Sequence, residues 1–270
     1  MIEPSKDLFY EAIHATKGSV LLFRRIFNFE KTKVAQMAEN RLNTRYTPGA
    51  GFPLQAYLHV ARYEWKPGKV QNIAGKGIGL LLDRETKVTT GQELKVKLVL
   101  GGQELVLDGR LVHVEPRSNG VLCGLDLLFG DFEEQKAYLQ LLQPVAIGQS
   151  LQAVPVERVV QNEPQFIKQV FRGEGDCVLT VWLAKTMGTP LHSFEFQMDD
   201  YFCHADVQSG VLEAYLREKS DSHKGKLSNP VFDQSGGLRD EIRQLFRWVL
   251  PNLSPAVPDD VRAFLQRFTA

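Results

Sequence analysis
RLNTR at 41–45 and NIAGKGIGLLL at 72–82 bound the stretch on which the reading of this chain turns. Two arginines four residues apart lead, through a strand-like segment, into a polar side chain and a glycine-dense turn. Arginine presents a rigid fork of donors to phosphate oxygens or a base edge, and its flat face stacks on rings. A glycine turn lets backbone N–H groups approach a ligand with no Cβ in the way. The combination suits an anionic ligand that carries planar rings.

Outward from this stretch the pattern is one of short antiparallel strands. Phe52, Leu54, Ala56, Leu58 and Val60 recur at a period of two, which predicts a half-buried strand. KPG at 66–68 reads as a turn, after which KVQNIAG runs into the glycine cluster. Leu94, Val96, Leu98 and Leu100 repeat the alternation, and Gly101-Gly102 is a hairpin signal. QELVLDGRLVHVEP returns, RSNG turns again, and VLCGLDLLF forms a last strand. Six or so such strands predict a small barrel. Helical spacing then appears in DFEEQKAYLQLLQ, with Asp131 as its expected cap.

The stretch resembles the PilZ domain, a bacterial receptor module for the second messenger cyclic di-GMP. That family's pattern is Arg-x-x-x-Arg, a gap of a few tens of residues, then Asp/Asn-x-Ser-x-x-Gly. Arg41, Arg45, Asn72, Ala74 and Gly77 stand in its register, over about 40 to 143. The resemblance implies a barrel closed by a helix after its last strand. It also implies that Arg41 and Arg45 grip phosphate, guanine edges and ring faces, that Asn72 bonds a guanine edge, and that Gly77 permits the tight turn. Ala74 departs from the pattern, because the family has a serine hydroxyl there. One lost hydrogen bond, worth about 0.5–1.5 kcal/mol, weakens binding roughly 2- to 13-fold.

Gly75, Gly77 and Gly79 do not form a dinucleotide fingerprint. Leu80 occupies the third-glycine slot, and the following GLLLDRETKVTTG is too short and strand-like to be the required helix. There is no G-x-S-x-G and no P-loop, so nothing asks for catalysis. Cys177, His192, Cys203 and His204 lack the C-x-x-C spacing of structural zinc sites, and neighbours Cys203 and His204 on a strand point to opposite faces. Neither a metal nor a cofactor is expected.

Before the arginines, Leu8, Phe9, Ala12 and Ile13 predict an amphipathic helix over 5–15. A strand to Phe29 and a helix from Glu30 to Asn40 follow, with Phe23, Phe27 and Phe29 expected to be buried. Pro144, Pro155 and Pro164 mark 144–164 as an irregular connector. Beyond it, DCVLTVWLA, LHSFEFQM, YFCHADV and VLEAYLRE read as strands, and GLRDEIRQLFRWVL and DDVRAFLQRF as helices. The expected organisation is an N-terminal helical or extended region (1–40), a barrel (41–143), a linker (144–164) and an α+β domain with an antiparallel sheet (165–270).

With 270 residues, 43% hydrophobic and 24% charged, the composition is that of a globular protein of about two domains. The net charge is zero, which argues against nucleic acid as a partner, yet residues 1–76 hold twelve Lys+Arg against six Asp+Glu. The excess lies on and before the motif, where an anion would bind. Three scattered cysteines make no disulfide framework and suit a reducing compartment. No secretory segment or membrane span is evident, so a cytoplasmic location without membrane insertion is expected.

The resemblance therefore implies a cyclic di-GMP receptor, not an enzyme. It would pass ligand binding to a protein partner in motility, adhesion or exopolysaccharide control by domain rearrangement. The alternative is an adaptor that has kept the barrel, does not bind the nucleotide and acts through protein contacts. Ala74 is the residue that favours it.

Overall fold
Six antiparallel strands close into a barrel in the order β1-β2-β3-β6-β5-β4, with β4 pairing back onto β1. They are β1 (Gln55–Ala61), β2 (Glu64–Ala74), β3 (Gly77–Leu82), β4 (Glu93–Leu100), β5 (Gln103–Arg117) and β6 (Gly120–Leu128). This computed structural model describes residues 21–27, 30–41, 44–61, 64–188, 190–217, 230–231 and 236–269. The period-two pattern fills the barrel as expected. Val96, Leu98 and Leu100 of β4 are buried while Lys95 and Lys97 face outward.

KPG is not a turn. Residues 66–68 lie inside β2, where Pro67 pairs with Tyr57 and Gly68 with Ala56. A Cβ at Gly68 would come within 2.9 Å of Leu82 and 3.4 Å of Leu80, so the glycine serves close packing in the barrel interior.

Helix α1 (Lys31–Asn40) forms where helical spacing predicts it. The strand expected before it does not form: residues 21–27 follow an irregular path, with Phe27 at φ 52°. Their backbone groups bond to side chains. Glu241 accepts from the N–H groups of Arg24, Arg25 and Ile26, and Gln140 both accepts from and donates to Phe23. Phe23, Ile26 and Phe27 are buried, as aromatic residues here were expected to be. The expected helix at 5–15, and Phe29, lie outside the described residues.

The barrel is followed by helix α2 (Phe132–Ser150), capped by Asp131, whose carboxylate accepts from the Glu134 N–H at 2.9 Å. It runs straight through Pro144, so the irregular connector begins at Leu151 and not at 144. An interior proline costs about 3 kcal/mol or more. Here that cost is offset by burial, because Leu142, Val145, Ala146 and Ile147 are all shielded from solvent, as is every residue from Lys136 to Gly148. A helix buried on all sides needs packing partners on all sides, and α2 has them in the barrel and in the C-terminal region.

That region is an antiparallel sheet in the order β13-β12-β11-β10-β9-β8-β7. Its strands are β7 (Gln152–Ala153), β8 (Phe166–Arg172), β9 (Val178–Ala184), β10 (Leu191–Met198), β11 (Tyr201–Asp206), β12 (Glu213–Arg217) and β13 (Pro230–Val231). Helices α3 (Gly237–Val249) and α4 (Asp259–Gln266) cover one face, where Phe246 stacks on Phe194 at 5.5 Å. The α+β arrangement agrees with expectation, and β7, β8 and β13 are additions to the four strands expected. The two parts interlock: Trp248 of α3 sits on the Gly101 turn, and the Asn252 side chain accepts from the Gly49 N–H at 2.8 Å. No helix among the described residues is long and apolar enough to cross a membrane.

Candidate functional site
The two halves of the motif meet through the backbone. Tyr46 and Ile73 exchange both N–H···O bonds at 2.8 Å in an antiparallel bridge, and the Gly75 N–H donates to the Arg41 carbonyl at 2.9 Å. Buried Tyr46 and Ile73 side chains hold this contact in place. The segment carrying Arg41 and Arg45 is thereby laid along the end of β2, beside Asn72, Ala74 and Gly77.

Within the turn, Asn72 is the register partner of Gly79 and Ala74 that of Gly77. Lys76 stands exposed at the tip, 3.5 Å from Asp126. The Ala74 and Gly77 carbonyls share the single proton of the Tyr138 hydroxyl, whose oxygen lies 2.9 and 2.8 Å from them. Tyr138 is fully buried, and that burial pushes its phenol well above the usual tyrosine range.

Helix α2 holds more than the turn. Gln140 brackets Phe23, Gln149 brackets Thr47, and Gln143 accepts from the Arg41 guanidinium at 2.7 Å. Tyr138, Gln140, Gln143 and Gln149 thus anchor the turn, residues 21–27, the first arginine and the chain beyond the second. None of the four belongs to the motif, and no sequence signal separates them from the helix's other residues.

The arginines occupy different environments. Arg45 is exposed. Arg41 is only 7% exposed, and its guanidinium lies 3.7 Å from the Glu174 carboxylate in the β8–β9 connection. A nearly buried guanidinium requires such pairing; its hydrogen bond goes to Gln143, and Glu174 supplies the opposite charge. Glu174 also accepts from the Tyr46 hydroxyl at 3.1 Å, and burial pushes that phenol up to about 12. A cavity of about 490 Å³ opens beside Arg41, lined also by Gln36, Met37, Cys177 and Asp199. Among the described residues no cluster of His, Cys, Asp and Glu could hold a metal ion.

Residues 39–143 match the family model of the PilZ domain. The match bears out the resemblance drawn from Arg41, Arg45, Asn72 and Gly77, for well under half of the chain. Among solved structures, the PilZ domain of YcgR from Escherichia coli with cyclic di-GMP is similar at 13% identity, covering 36% of this chain and 84% of that one, with a TM-score of 0.31. PlzA from Borreliella burgdorferi, solved in complex with cyclic di-GMP, is similar at 12% identity over 78% of this chain and 98% of its own, with a TM-score of 0.34. The PilZ domain of CeSA from a cellulose-synthesizing bacterium is similar at 13% identity, covering 36% and 92%, with a TM-score of 0.29. Comparison with curated proteins finds no match.

Proposed function
Taking residues 39–143 as a PilZ domain, we propose that this chain is a receptor for cyclic di-GMP that passes binding on by rearranging its C-terminal region. The observation that carries the reading is the Tyr46–Ile73 bridge, which sets the arginine segment against the Asn72–Gly77 turn. The ligand would be gripped by Arg41 and Arg45, with Asn72 on a guanine edge and the turn at Gly77 beneath it. Ala74 offers no hydroxyl, so one bond is missing from the set.

Arg41 gives the reading its mechanism. Its guanidinium is hydrogen-bonded to Gln143 and ion-paired with Glu174 at 3.7 Å, so a phosphate competes with the carboxylate for Arg41. Ligand binding and the Glu174 contact are therefore competing states of one side chain, and a ligand shifts that equilibrium by its differential affinity for the two. Losing Arg41 leaves the Glu174 carboxylate held by the Tyr46 hydroxyl alone, which weakens the hold on the β8–β9 connection and changes the surface offered to a protein partner. Motility, adhesion or exopolysaccharide machinery is the class of partner that the family suggests.

Titration of the full chain with cyclic di-GMP, with GTP and cyclic GMP as controls, tests the proposal. Saturable micromolar binding that is lost in Arg41→Ala and Arg45→Ala supports it. The absence of heat from folded protein overturns it and leaves the adaptor reading, in which Arg41 serves only the contact with Glu174.

A further inference from the structure
We infer that Tyr138 is a positioning residue for the ligand turn, acting from helix α2 through the single peptide unit between Ala74 and Gly75. As a statement about ligand affinity this rests on the receptor reading above; as a statement about the turn it does not.

The peptide is held from both sides. Its carbonyl accepts from the Tyr138 hydroxyl at 2.9 Å, and its N–H donates to the Arg41 carbonyl at 2.9 Å. Side chain, peptide and arginine backbone form one chain of aligned dipoles, in which each bond polarises the next. The Gly77 carbonyl, 2.8 Å from the same hydroxyl, ties the far side of the turn to the same point. One phenol thus sets the orientation of the turn and, through it, the backbone position of the first arginine. It brings a hydroxyl to a turn whose own residue 74 has none.

A buried hydroxyl needs an acceptor, and satisfaction alone could account for one of these bonds. It does not account for the choice of both carbonyls flanking the turn. Nor is the hydroxyl needed for the β2–β3 ladder. A carbonyl has two lone pairs, so the Ala74 and Gly77 carbonyls remain free to accept within the hairpin when Tyr138 is absent. Removing the hydroxyl should therefore leave the barrel folded and free the turn. The neutral phenol enforced by burial keeps Tyr138 a donor across the physiological range.

The test is Tyr138→Phe, read in two ways on the full chain. Amide hydrogen exchange at Gly75 should accelerate at least about tenfold relative to barrel amides such as Leu98, with or without ligand. The dissociation constant for cyclic di-GMP should rise about 2- to 13-fold, the loss expected of one hydrogen bond. Unchanged Gly75 exchange in folded Tyr138→Phe overturns the inference, even if thermal stability falls. If wild-type protein fails to bind cyclic di-GMP, the receptor reading fails while Gly75 exchange still decides the role of Tyr138. Should the variant not fold, wild-type protein decides: a Gly75 amide exchanging at the rate of an exposed loop refutes the clamp.

Discussion

The side-chain amide of Asn72 lies over Gly79, with Nδ2 2.8 Å and Oδ1 3.0 Å from the point that a Cβ at residue 79 would occupy. The two are partners across β2 and β3, so the missing side chain on one strand is the space taken by the amide on the other. Gly79→Ala would push Asn72 aside and not the backbone, because the atoms in the way end a flexible side chain. The barrel should stay folded and affinity for cyclic di-GMP should fall about 2- to 13-fold, the range for one lost hydrogen bond. Calorimetry beside a thermal melt separates the two effects, and unchanged affinity would remove Asn72 from the site.

A second glycine tests the join between the barrel and the C-terminal region. A Cβ at Gly49 would fall on the Pro251 carbonyl, and the Gly49 N–H donates to Asn252. Backbone cannot yield as a side chain does, so Gly49→Ala should destabilise by about 1–3 kcal/mol, as overpacking does. Urea unfolding measures it, and a loss below a few tenths would mean the join is looser than it looks.

Asp131 caps the helix on which the site depends. Its carboxylate accepts from Glu134 N–H, and Glu134 in turn accepts from Gly130 N–H at 2.7 Å. Asp131→Ala should cost about 0.5–2 kcal/mol of stability. It leaves Tyr138 and Gln143 in place, so cyclic di-GMP affinity measured well below the unfolding transition should be unaltered.

The three cysteines are buried, unpaired thiols. Burial pushes Cys123 up to about 11 and Cys177 up to about 12, and raises Cys203 as well. The thiolate is the reactive form, so at pH 8 none should react with a thiol reagent until the protein unfolds. Cys177 lines the cavity beside Arg41 and Glu174, so its rate is the one to rise if ligand opens that contact.

Local chemistry makes much of this molecule legible in its sequence. Val96, Leu98 and Leu100 announce a strand and Gly101-Gly102 its hairpin, because period and turn are properties of neighbours in sequence. Asp131 announces a helix start for the same reason. Pro144 misled because its local penalty is outweighed by burial from distant parts of the chain. Pro67 and Gly68 misled because their place is set by other strands: they pair with Tyr57 and Ala56 of β1, and Gly68 packs on Leu80 and Leu82 of β3. Residues 21–27 could not be read as what they are, since Glu241 satisfies the N–H groups of residues 24–26 from more than 200 positions away, and Gln140 and Tyr201 those of Phe23 and Phe27 from more than 100. The same holds at the site: the arginines, Asn72 and the turn were visible, whereas Gln143 and Glu174 carry no motif and meet Arg41 only through the fold.

On the receptor reading, Arg41 is exchanged between Glu174 and the ligand. Calorimetric titration of wild-type protein and Glu174→Ala with cyclic di-GMP tests it most directly. Removing a half-exposed carboxylate partner should free about 0.2–1 kcal/mol for the ligand, so the variant should bind up to about fivefold more tightly. Equal or weaker binding by the folded variant would contradict the exchange, and no saturable heat from either protein would contradict the receptor itself.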